Sequence, residues 1–76
     1  MKTLKVGDSH PWKKDLFSTL ELQWVEQNKP GQGTVSVKIG DDPATSYPVP
    51  QTNIPVDKQA GKLTNNTDKT IQYSLS

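Results

Sequence analysis

The chain has 76 residues, enough for one domain, and its nine Lys and eight acidic residues leave a formal net charge of +1. With no Cys it has no disulfide scaffold, thiol chemistry or Cys-based zinc site; no apolar run is long enough for a membrane-spanning helix; and MKTLKVGDSHPWKK lacks the apolar core of a secretory signal. Hydrophobic residues make up 30% against roughly 45–50% in typical globular chains, so the core is small, but the low net charge tips the balance toward folding.

Thr occurs eight times and Ser, Asn and Gln sixteen times together, while Ala and Glu occur twice each, an all-β profile. Residues 2–6, with Leu4 and Val6 on one face, read as a first strand or as an arm reaching to a neighbour. Two periods compete over 9–27. Trp12, Leu16, Leu20 and Trp24 recur every four residues behind Ser9 and Pro11, as in an amphipathic helix, whereas Leu20, Leu22 and Trp24 alternate as in a strand. Leu22 and the Ser18-Thr19 pair favour one helical turn near 12–17 leading into a strand over 19–27.

Asn28-Lys29-Pro30-Gly31-Gln32-Gly33 follows as a loop of turn formers. The clearest strand is 34–39, with Val35, Val37 and Ile39 on one face and Thr34, Ser36 and Lys38 on the other; it is expected to pair antiparallel with 19–27. Gly40-Asp41-Asp42-Pro43 is a turn. Tyr47, Val49, Ile54 and Val56 then alternate with Pro48, Pro50 and Pro55 among them, which assigns these segments to sheet edges or polyproline-like connections. Asn65-Asn66-Thr67-Asp68 is turn chemistry, so 63–64 and 70–73 read as the arms of a terminal hairpin, with Ile71, Tyr73 and Leu75 inward. The sum is five to seven short strands in a single domain, 1–76, forming a small antiparallel sandwich or barrel.

Chemistry is sparse. His10 is the only histidine and reads as a loop residue beside Pro11; Asp41-Asp42 lacks the spacing of a calcium loop; Gly31-Gln32-Gly33 precedes a strand rather than a helix N-terminus, so it is no phosphate cradle. No catalytic residue, cofactor site or metal site is expected, and the chain is not expected to be an enzyme. The marginal core and the Pro-marked segments at 43–55 point to a structural or interaction module that acts by assembly, with itself or another protein, as in a virion or an appendage. Segment 1–17, with Leu4, Val6, Trp12, Leu16 and Phe17, is the expected contact arm.

A small carbohydrate-binding module is the alternative, with Trp12 or Trp24 as the stacking plate beside Asn65, Asn66 and other loop amides. Trp24 fits the core better; Trp12, if exposed, marks a contact surface. The candidate contact residues are therefore Trp12, Phe17, Trp24, Tyr47, Asn65 and Asn66. Single-stranded nucleic acid ranks third, because acids nearly cancel the Lys and Arg is absent. Asn65-Asn66-Thr67 matches a glycosylation acceptor but reads as a turn. The expected location is the cytoplasm or an assembled particle, without membrane insertion.

Overall fold

Period-two alternation of apolar side chains becomes eight strands in the computed structural model, which describes residues 1–76: β1 (Lys2–Leu4), β2 (Ser9–Trp12), β3 (Thr19–Trp24), β4 (Val35–Ile39), β5 (Thr45–Tyr47), β6 (Gln51–Pro55), β7 (Gly61–Asn65) and β8 (Ile71–Leu75). They form two four-stranded antiparallel sheets in the orders β1-β8-β3-β6 and β2-β7-β4-β5. The pairs β1·β8, β2·β7, β3·β6 and β4·β5 nest inside one another, which is the strand order of a jelly roll. The all-β sandwich expected from composition is the fold, with eight strands instead of five to seven.

The core lies between the sheets. Leu20, Leu22 and Trp24 from β3 meet Val35 and Val37 from β4, Leu63 from β7, and Ile71 and Tyr73 from β8, with Leu4, Trp12, Ile54 and Val56 closing the cluster. One chain covers this core. Its 4694 Å² of accessible surface is what scaling gives for a compact chain of this mass, about 4,600 Å².

Three local expectations are corrected. No helical turn forms at 12–17: Trp12 ends β2, residues 13–18 are a connector with Asp15 in the left-handed region (φ 69), and Leu16 is exposed. The segments 19–24 and 35–39 do not pair but lie in opposite sheets, because the connector 25–34 crosses the sandwich. Likewise 61–65 and 71–75 are not a hairpin, since 66–70 crosses back. The one tight hairpin is β4–β5, across the expected turn at Gly40 to Pro43. A bulge at Thr52 and Asn53 (φ 57) lets β6 run one residue longer than β3 between Leu20↔Ile54 and Leu22↔Gln51.

The register sorts the connectors. Residues 5–8, 25–34, 48–50 and 66–70 lie at one end of the sandwich; 13–18, 40–44, 56–60 and both chain ends lie at the other.

Candidate interaction surface

The end carrying 5–8, 25–34 and 66–70 is built around Asn65. Its side chain is wholly buried: Nδ2 donates to the Leu4 carbonyl (2.9 Å) and the Lys69 carbonyl (2.8 Å), while Oδ1 accepts from the Thr67 amide (2.9 Å) and the Thr67 hydroxyl (2.6 Å). A short polar side chain satisfies the backbone where the chain leaves one sheet for the other. The long connector docks on this turn. Gln32 N donates to Asp68 Oδ1 (2.8 Å), Asp68 N to the Gln32 carbonyl (3.0 Å) and Asn66 N to the Thr34 carbonyl (3.2 Å). Gly33 (φ 104) is needed there: a Cβ would lie 2.9 Å from the Asn66 carbonyl oxygen and the Thr67 Cα.

These loops frame a groove of about 610 Å³ at the end of the β1-β8-β3-β6 sheet. Its apolar lining is Val6, Val25 and the edge of Trp24, and its charges are Glu26 and Asp68 against Lys29 and Lys69. Val6 is 52% and Val25 43% exposed, in a chain with few apolar residues to spare. Strand alternation places Val6 inward with Leu4; the chain instead turns out of the sheet at Lys5, where Asp8 N donates to the Lys5 carbonyl (3.0 Å) and Gly7 N to the Asn65 carbonyl (2.8 Å). Val25 is absent from the residues that the sequence singles out. Its signal is its place just beyond Glu21 and Gln23 on the outward phase of β3, where the third position is apolar.

The six contact residues picked from the sequence do not converge. Trp12 is 6% exposed: its ring covers Gly61 across β2·β7 and Nε1 donates to the Gln59 carbonyl (2.9 Å), so it is a core residue and not a contact plate. Trp24 is also core, with only its edge reaching the groove. Asn65 is structural, with both Nδ2 hydrogens engaged by carbonyls, which leaves neither ligand contact nor a glycan acceptor in the folded chain. Asn66 is exposed on the neighbouring turn. Phe17 is half-buried at the opposite end, and Tyr47 is half-buried beside Ile39, Pro43 and Pro55 on the β5–β6 side.

The expected arm 1–17 supplies an edge strand to each sheet and buries Leu4 and Trp12, leaving Val6 and Leu16 outward. No group of three or more His, Asp or Glu side chains is placed to hold a metal ion, and no helix is long and apolar enough to cross a membrane. The class defined here is a small jelly-roll sandwich with an apolar groove at one loop end. Comparison with family models, with curated proteins and with solved structures gave no match.

Proposed function

We propose that this chain is a non-enzymatic interaction module that works by assembly, with copies of itself as a component of a larger particle, through the groove at its loop end. The observation that carries the reading is the pairing of two exposed valines with a tryptophan edge at one place on a polar surface. Exposed apolar clusters rimmed by polar groups mark interaction sites. The rim holds two acidic and two basic side chains, a balance that suits a face meeting its own copy.

The sheet edges are poor alternatives. Pro11 lies in β2, Pro43 and Pro48 flank β5, Pro55 lies in β6, and β1 is three residues long, starting at Lys2 and followed by Lys5, all features that discourage strand addition. Jelly rolls serve in capsid and lectin domains alike, so the strand order is compatible with a particle component and does not by itself select one. A nine-residue groove is small beside the ~20–30 residues per side of a standard interface, so each contact is weak and gains strength by repetition.

Light scattering behind size exclusion, over about a hundredfold range of concentration, tests this. The expected result is a mass rising above 8.4 kDa with concentration, and its return to 8.4 kDa in the Val6→Glu, Val25→Glu double variant. A mass of 8.4 kDa at every concentration overturns the self-assembly reading.

A further inference from the structure

The two sheets part along the side where each ends, one in β1 and the other in β2. Between them runs a cleft of about 360 Å³ whose lining includes Lys2, His10, Phe17, Tyr73 and Leu75. His10 shares the inward phase of Trp12 on β2, and its ring meets that of Tyr73 on the opposite sheet at 5.0 Å between centroids and 36° between planes. Lys2 stands opposite Tyr73 in the β1·β8 register, on the phase of the buried Leu4. Phe17 enters from the connector 13–18.

The polar groups of this cleft are held ready. All fully buried side-chain polar atoms in the protein have hydrogen-bond partners, whereas the imidazole of His10 and the hydroxyl of Tyr73 make no hydrogen bond within the protein, and both residues line the cleft. Burial pushes the Tyr73 phenol above its ordinary value, so it remains a proton donor. No carboxylate side chain lines the cleft, and Lys2 is its one lysine. Three rings, a hydroxyl donor and a lysine ammonium in a space of this size match one ligand chemistry.

We propose that the cleft between β1 and β2 binds a single-ring aromatic carboxylate, its ring against His10, Phe17 and Tyr73 and its carboxylate at the Lys2 ammonium and the Tyr73 hydroxyl. This site lies at the end opposite the groove and does not depend on assembly.

Three probes separate the contributions: benzoate, the uncharged benzyl alcohol, and cyclohexanecarboxylate, which keeps the charge without the aromatic ring. Each is titrated into the protein while the ring resonances of His10 and Tyr73 are followed by NMR. Benzoate is expected to shift both resonances to saturation, and the other two to bind about fivefold more weakly. Lys2→Gln, at an exposed position that leaves the fold intact, weakens benzoate about fivefold and leaves benzyl alcohol unchanged. Tyr73→Phe, which keeps the ring, also weakens benzoate. Equal binding of the three probes, shifts confined to other residues, an unchanged benzoate affinity in Lys2→Gln, or no saturation by about 10 mM overturns the proposal.

Discussion

Asn65→Asp alters one atom group in a side chain with no exposed surface, and the consequence is calculable. Nδ2 of Asn65 ties β1 to the connector 66–70 by donating to the carbonyls of Leu4 and Lys69. A carboxylate donates to neither, so the buried Leu4 carbonyl loses its side-chain donor, the part-buried Lys69 carbonyl keeps only the Thr67 hydroxyl (2.8 Å), and both face a negative oxygen. An unsatisfied buried group costs about 1–3 kcal/mol, so the Leu4 carbonyl alone costs about that much before the penalty of burying a charge is added. A domain of this length holds roughly 4–11 kcal/mol in total, so the variant loses a large part of its stability.

The loss depends on pH. Protonating the introduced carboxyl restores one donor, so the folded state of the variant holds that proton more tightly than the unfolded chain, where the pKa is about 3.9. Above that value the unfolded state releases its proton first, and stability relative to the parent falls as pH rises until the higher folded-state pKa is passed. Urea unfolding followed by the fluorescence of the two buried tryptophans measures this at about pH 4 and about pH 7. The expected result is a lower midpoint at unchanged m, with the larger deficit at neutral pH. A parent-like midpoint at neutral pH, or a deficit that shrinks between acid and neutral pH, would refute the reasoning.

Gly61→Ala places a Cβ against the Lys38 carbonyl and the Trp12 ring, and is expected to cost about 1–3 kcal/mol of overpacking with a red shift in tryptophan emission. Lys58→Gly should stabilise the protein by about 0.5–1 kcal/mol, seen as a raised Tm. Asp57 and Lys58 are both left-handed (φ 53 and 62) in a turn closed by Gln59 N to the Val56 carbonyl at 3.0 Å, a primed turn that favours glycine. Deleting residues 1–12 removes both β1 and β2 with Leu4 and Trp12, so loss of the β-sheet circular dichroism signal is expected, not a folded protein of smaller assembly size.

The inward faces of β3, β4 and β8 are legible in the sequence because alternation is local: Leu20, Leu22, Trp24, Val35, Val37, Ile71 and Tyr73 can be read in pairs. Which strands meet is not. A turn-forming run such as 65–68 has the same composition whether it closes a hairpin or crosses between sheets; here the choice rests on Asn65 reaching the Leu4 carbonyl 61 residues away. Trp12 misleads for a related reason, since a tryptophan after Pro11 in a polar stretch is buried only because Gly61 leaves room for its ring. The groove is half legible: alternation picks out Val6 but assigns it to the wrong face, and Val25 gains meaning only beside residues 66–70.

The nested pairing also has a kinetic consequence. Lys2 pairs with Tyr73, which in isolation would close a loop spanning almost the whole chain. Once the β4–β5 hairpin exists, however, β3·β6, β2·β7 and β1·β8 can each form by extending the pair inside it, and the longest gap to cross is the connector 25–34. Each step then costs the entropy of a short loop, not a long one. A topology whose pairings are mostly distant in sequence can thus zip from its middle outward, and native-state hydrogen exchange would show the reverse order, with β1 opening first and the β4–β5 region last.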